Sequence, residues 1–443
     1  MEIFVPENLK KLASLSGQSI YITGGYLRNA ICGLGKTDID LCGPVVATAL
    51  GLPKNCYIKT VNFRLGTSII RFEDEEYEYT PFRTESYSEG GSHSPSYVSF
   101  TSDIRLDARR RDFCCNSLYY DIKKGELLDF SGGVSDCENK ILRSKNPDEI
   151  FSSDGLRLMR LCRIAAETGF KIESKTGAAA LKHAALLKDI SPERKRDELV
   201  KILNADRKYG VENAHYRGLK LMQKLGLFQY VVPRLAECDG VEQNPEYHKY
   251  DVLEHILQTV RFADPSVRLA ALFHDIGKPY CQKTFGKMHG HEVASARAAK
   301  DALGQFGLRF PSEVVEETEK LCRLHMYDMN GQTSEGKVRL FIAHNADIID
   351  KLILLIKADR AGSGLRDVPS EHRFEKIKAQ MLLGGTPFSQ ADLNIDGVKL
   401  MEIGYKGAAI GAILAEIHDK CILDPHLNTA EWLESYAKKH LPQ

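Results

Sequence analysis

The chain predicts an α+β architecture: an N-terminal domain with a mixed β-sheet and flanking helices, followed by segments that are all α-helical. Two patterns in its 443 residues carry this expectation. In the N-terminal third, short runs at 19–22, 67–72, 77–80 and 126–130, rich in β-branched and aromatic residues, are separated by turn clusters. From Asp148 onward the period changes. Leu158, Leu161, Cys162, Ala165 and Ala166 recur at i, i+3, i+4, i+7 and i+8, the spacing of one apolar stripe on a helix. Ser191-Pro192 reads as the N-cap and first-turn residue of another helix. Residues 248–365 form a helical block rich in histidine and aspartate, and the remainder carries several glycines followed by helix-like segments.

With 43% hydrophobic and 27% charged residues, a chain of this length exceeds one ordinary core and divides into several domains. The pattern changes place these at 1–140, 141–240, 241–365 and 366–443. No apolar run approaches the ~18 residues of a membrane span, and Glu2 and Glu7 stand where a targeting segment would be basic. The expectation is a cytoplasmic protein without a membrane partner. Eleven cysteines are an odd number, with no C-x-x-C pair, so reduced and mostly buried thiols are expected rather than disulfides or a zinc ribbon. Sixty basic residues balance sixty acidic ones, so a nucleic-acid partner would need a local basic surface.

The residues that carry chemistry begin at Gly24-Gly25. Following a β-like run, this pair lets the backbone approach a triphosphate, and a helix starting there aims amide N–H groups and Arg28 at anionic oxygens. Asp38 and Asp40 come next; on a strand, side chains at i and i+2 share a face, so both carboxylates can hold one pair of Mg²⁺ ions. Glu78 lies in an alternating run and offers a third carboxylate, either as a base toward a 3′-hydroxyl or as part of a metal shell. In Arg109-Arg-Arg-Asp-Phe-Cys-Cys-Asn116, arginine forks suit phosphate and the aspartate suits a ribose hydroxyl. Residues 85–97 are polar and broken by Gly and Pro, so a mobile loop is expected there.

In order and spacing, these motifs resemble the bacterial class II tRNA nucleotidyltransferase (CCA-adding) and poly(A) polymerase family. The resemblance rests on Gly-Gly-x-x-Arg28 with Asp38-x-Asp40, Arg110-Arg-Asp-Phe with Asn116, Asp154-Gly-Leu-Arg157 with Arg160 and Arg163, and Glu193-Arg-x-x-x-Glu198. A tail segment, Asp392 to Gly407, extends it over nearly the whole chain. The resemblance implies a nucleotidyltransferase head (1–140), a helical neck bearing the base-recognition helix (141–240), a third helical domain (241–365) and a tRNA-binding tail (366–443). The implied reaction is template-independent addition of C, C and A to the tRNA 3′ end from CTP and ATP with Mg²⁺. Poly(A) polymerases and enzymes that add only A or only CC share the head motifs and stay as alternatives. By carry-over, Gly24, Gly25, Arg28, Arg111, Asp112, Asn116, Arg160 and Arg163 contact phosphates or ribose. Glu193, Arg194 and Glu198 orient the nucleotide-site helix. Asp154 and Arg157 read the base: three apart on a helix, a carboxylate accepting from an exocyclic amino group and a guanidinium donating to a ring nitrogen match cytosine and adenine. Two departures stand out, Ser153 where the family has Glu and Cys114 where it has Thr.

His255, His274-Asp275 and Asp359 follow an H…HD…D order in helix-like contexts, a set able to surround one divalent transition metal and activate water. This block resembles an HD phosphohydrolase domain, with His289, His291 and His325 available to a second metal. A rival of another class therefore makes this block the working site and the head a nucleotide-binding regulator. Oligomeric state is open at this level.

Overall fold

The computed structural model describes residues 3–35, 37–86, 96–364 and 370–442. They form two compact units, Met1–Glu237 with Ala302–Phe310, and Cys238–Asp301 with Pro311–Gln443. The fold is α+β, with all of the extended sheet in the first unit.

That sheet has seven strands in the order β3-β4-β5-β2-β1-β8-β9. Strand β1 (Tyr21–Thr23) is an interior strand, flanked by β2 (Asp40–Gly43), the central strand, and β8 (Leu118–Asp121), both antiparallel to it. Beyond them lie β3 (Tyr57–Asn62), β4 (Thr67–Phe72) and β5 (Glu75–Pro81) on one side and β9 (Glu126–Asp129) on the other. Only β2 and β5 run parallel, which makes the sheet mixed, as expected. Alternation along β5 buries Tyr77 and Tyr79 and leaves Glu76 and Glu78 on the opposite face. Strands β3 and β8 were not legible as runs. The first is largely exposed, and the second is only four residues long.

Residues 85–97, expected as one mobile loop, divide. Glu85 and Ser86 close strand β6 (Arg83–Ser86) and pair antiparallel with β7 (Tyr97–Phe100), while residues 87–95 lie outside the described residues. Cross-strand bonding and the Arg83–Glu85 ion pair at 2.7 Å order the ends that composition alone marked as loop.

The helical stripe from 158 to 166 is the buried face of the helix Leu156–Thr168, where all five residues are fully buried. Pro192 opens the helix Pro192–Leu203 with Ser191 at the N-cap, as its position predicts. All eleven cysteines are free thiols and only Cys32 and Cys56 are partly exposed. No described helix is long and apolar enough to cross a membrane.

In the second unit, the helices Val252–Phe262 and Ile349–Ser363 pack face to face. The fit is close at Gly362, where an added Cβ would come within 2.6 Å of the Thr259 nitrogen and 2.7 Å of its Cα. Neither atom can rotate away. C-terminal helices Gly397–Ile403, Ala408–Leu423 and Ala430–Lys439 bury a separate cluster around Leu400, Ile417 and Leu433. Gly362→Ala is expected to overpack the helix pair and destabilise this unit by about 1–3 kcal/mol, measured as a lower denaturant midpoint at unchanged m-value.

Candidate active site

The carboxylates of the head meet through sheet register. Because β2 and β5 are parallel, Asp40 stands directly opposite Glu78, and Asp38 lies two residues before β2 begins. The expectation that Asp38 shares the strand is therefore corrected: it sits in the segment leading into it. Asp40 keeps solvent access on one side, yet its pKa is pushed up to about 6. Loss of hydration is the largest cause, the negative charges of Glu78 and Asp38 push the same way, and Arg111 opposes them. Three acids crowded so closely call for a cation.

Gly24 borders this cluster. Its φ of 78° lies in the left-handed region, and a Cβ there would come within 3.1 Å of Asp40 Oδ2, so both backbone and space require glycine. The helix Gly25–Cys32 starts immediately after, with its free amides beside the acids and ready for phosphate oxygens.

The arginine-rich turn is organised by a residue the motif reading missed. Asp107, fully buried, accepts from Arg110 Nε at 2.8 Å, from Arg111 Nη2 at 3.1 Å and from the Tyr119 hydroxyl at 2.6 Å. Burial raises its pKa, but Arg111, Arg110 and the tyrosine outweigh this and hold it at about 2. The available signal was its spacing: Asp107 precedes Arg110 and Arg111 by three and four residues, the reach of one helical turn.

A second polar chain links four predicted residues. Arg28 Nη1 donates to Asn116 Oδ1 at 2.8 Å, Asn116 Nδ2 donates to Asp112 Oδ1 at 3.3 Å, and Arg160 clasps Asp112 Oδ2 at 2.9 and 2.6 Å. Arg28 also bonds Asn29 and the Tyr209 hydroxyl. Arg160 and Arg157 keep the Asp112 carboxyl far below its ordinary range despite burial. Arg163 pairs with Glu198 at 2.7 Å and with Glu167 at 3.0 Å.

Asp154 and Arg157 depart from the expected helical pair. Asp154 ends the helix Pro147–Ser153 in extended conformation and pairs with Arg194 at 2.8 Å; its Oδ1 also caps the amide of Leu156. Arg157 instead donates to the Ile150 carbonyl at 3.1 Å, Ser153 Oγ at 2.7 Å and the Arg110 carbonyl at 3.1 Å. The extended backbone of Asp154 itself, ahead of the tightly packed Gly155, is the reason. At Gly155 a Cβ would meet the Leu186 carbonyl oxygen at 2.8 Å, and Asp154 and Arg157 do not lie on one continuous helix.

In the second unit, the predicted histidines and aspartates converge. His255 Nε2 lies 3.2 Å from His274 Nε2 and 3.0 Å from both Asp275 Oδ2 and Asp359 Oδ1. His291 and His325 face the other oxygen, Asp275 Oδ1, at 2.9 and 3.6 Å. Nδ1 atoms of His274, His291 and His325 lie 2.7–2.9 Å from backbone carbonyls, which assigns their protons there and turns the Nε2 lone pairs inward. His291 Nε2, His325 Nε2 and Asp275 Oδ1 are buried without a hydrogen-bond partner among the described residues. These donors fit one or two divalent ions with Asp275 between them: His255, His274 and Asp359 on one side, His291 and His325 on the other. Burial would lower the His274 pKa, but Asp275 and Asp359 raise it to about 10, so a proton there and the Lys278 ammonium paired with Asp275 offset the two carboxylates. His289 belongs to neither group.

Family models match three parts of the chain: a poly A polymerase head domain over residues 20–143, a probable RNA and SrmB-binding site of polymerase A over 169–238, and an HD domain over 252–361. A CCA-adding enzyme of Latilactobacillus sakei is 28% identical over 98% of this chain and 99% of its own length. In these three parts and over nearly its whole length, the chain is similar to the tRNA nucleotidyltransferase and poly(A) polymerase family. A CCA-adding enzyme of Enterococcus faecalis is 34% identical, but that alignment spans only 53% of this chain and 56% of the relative. A CC-adding tRNA nucleotidyltransferase of Thermus thermophilus is 28% identical over 76% of this chain and 75% of its own. In fold, the chain is similar to the Bacillus stearothermophilus CCA-adding enzyme solved with CTP, with a TM-score of 0.69 at 19% identity and 98% coverage of both chains. A nucleotidyltransferase head implies dependence on a divalent metal, consistent with the three acids around Asp40.

Those acids also predict a stability cost. A carboxyl whose folded pKa of about 6 exceeds its unfolded value near 4 withdraws stability as pH rises between the two. Asp40→Asn is therefore expected to raise the Tm of the metal-free protein at pH 7.5, to change it little at pH 4, and to abolish nucleotide addition. Differential scanning calorimetry at both pH values checks this.

Proposed function

We propose that this protein adds C, C and A to the 3′ end of tRNA from CTP and ATP without a nucleic-acid template. The observation that carries this reading is the register of β2 against β5, which gathers Asp38, Asp40 and Glu78 beside the Gly24 turn. Asp38 and Asp40 would hold Mg²⁺, which when bound screens charge on the reacting phosphate and the leaving pyrophosphate. Gly24, Gly25 and the helix amides after them take the triphosphate, with Arg28 and Arg111 supplying positive charge. Asp112, Asn116, Arg160 and Arg163 frame the ribose and phosphates. Glu78 accepts the proton of the attacking 3′-hydroxyl or completes the metal shell.

Asp154 and Arg157 are the proposed base readers. Without nucleotide, Arg194 and backbone carbonyls satisfy them, so base binding exchanges these bonds for ones to the amino group and ring nitrogen shared by cytosine and adenine. The division of labour proposed with this reading keeps the boundaries read from the sequence: head 1–140, neck 141–240, HD domain 241–365 and tRNA-binding tail 366–443, in a cytoplasmic setting. Solved relatives of this fold include a Thermotoga maritima enzyme complexed with tRNA, which supports tRNA as partner.

The second reading concerns the HD centre, whose inward-turned imidazoles support a metal-dependent phosphohydrolase activity in the same chain. Its donors, His255, His274, Asp275 and Asp359, suit a divalent transition metal such as Mn²⁺, Co²⁺, Ni²⁺ or Zn²⁺.

One experiment separates the alternatives. Given tRNA lacking its 3′ end, the enzyme is expected to add two C residues with CTP alone and to complete the end only when ATP is also present, resolved by product length on denaturing gels. An A ladder without C, or a stop after CC with both nucleotides, overturns the reading. Asp38→Asn should lower addition by at least about 10³-fold while leaving metal-dependent hydrolysis of p-nitrophenyl phosphate intact, and His274→Ala should do the reverse.

A further inference from the structure

Outside the nucleotide site, the first unit has a cavity of about 240 Å³ lined by Arg105, Ala108, Arg109, Phe130, Ser131 and Lys145. Arg105, Arg109 and Lys145 are exposed, and among the described residues none of the three pairs with a carboxylate. This separates them from their neighbours Arg110 and Arg111, whose charge is committed to Asp107. The acids that flank the cavity in sequence are already used. Asp129 accepts from the amides of Ser131, Gly132, Gly133 and Val134, holding the loop that carries Phe130 and Ser131, and Asp103 caps the amide of Arg105. Arg105 lies 5.9 Å from the Phe130 ring centroid and Lys145 Nζ donates to the Phe130 carbonyl at 3.0 Å, so both cations are gathered at the aromatic wall.

We infer that this cavity binds a phosphodiester of the RNA strand upstream of its reacting 3′ end. Three uncompensated cations around one aromatic ring suit a nucleic-acid backbone, and on a chain of zero net charge such a local surface is where that affinity must come from. Arg109 stands two residues before Arg111, whose charge is felt at Asp40, so the two sites are joined by one short stretch of chain. A free nucleoside triphosphate fits it less well. Its lining offers no carboxylate for the accompanying metal ion. This assignment rests on the reading of the protein as an RNA 3′-end nucleotidyltransferase.

The test compares wild type with Arg105→Ala/Arg109→Ala/Lys145→Ala, using tRNA without its 3′ CCA. Fluorescence anisotropy should show a Kd raised at least about 10-fold near 0.1 M salt and a log Kd against log salt slope reduced by about two. KM for CTP should stay within about twofold of wild type, and C addition at saturating tRNA should persist, because exposed side chains alone are removed. Unchanged tRNA affinity and slope overturn the inference. So does a raised KM for CTP with tRNA binding intact, which would assign the cavity to free nucleotide. Failure of the parent reading looks different, since wild type would then bind RNA without extending it.

Discussion

Crowding of like charge is the constraint on which the head depends. Asp40 faces Glu78 across a parallel strand pair, with Asp38 just upstream, and the Asp40 pKa near 6 registers first its loss of hydration and then the repulsion of these neighbours. The surrounding structure over-determines the arrangement. β1 and β5 bond β2 on both edges, and Gly24 removes the Cβ that would displace the Asp40 carboxylate. Stability is given up locally so that a cation, and with it a triphosphate, completes the site.

Around these acids, the cationic groups are held by hydrogen bonds rather than left to swing. Asp107 fixes Arg110, Arg111 and Tyr119, while the Arg28–Asn116–Asp112–Arg160 chain ties the helix Gly25–Cys32 to the helix Leu156–Thr168. Such buried networks preset the dipoles that face developing charge, which reduces the reorganisation needed at the moment of reaction. The groups proposed to read the base are arranged differently. Asp154 and Arg157 are occupied by partners that a nucleotide can replace, a design in which the empty site avoids unsatisfied buried charge.

The HD centre solves the same problem with the opposite sign of ligand. Asp275 and Asp359 are buried among four imidazoles, and carbonyl acceptors for Nδ1 of His274, His291 and His325 leave their Nε2 lone pairs nowhere else to go. A proton on His274, together with Lys278 paired to Asp275, balances the two carboxylates, so protons and metal ions compete for one charge requirement.

Much of this was legible from local pattern. The α+β division, the stripe from Leu158 to Ala166 and the HD doublet depend on residues close in sequence, where helical or strand period sets which side chains share a face. What local pattern misread has a common physical cause. Asp154 and Arg157 have helical spacing but not a shared helix, because Asp154 itself is extended, ahead of the close approach of Leu186 at Gly155. Glu85 was marked as loop by composition, yet distant Val98 and Phe100 supply a partner strand. Asp107 carried no motif, and its importance appears only when Tyr119, from β8, closes on it. Sequence by itself thus determined which chemistry the chain carries, since that is written in residue type and short-range spacing. Only the tertiary structure decided which acid meets which, because strand register and long-range packing choose the partners that burial then makes obligatory.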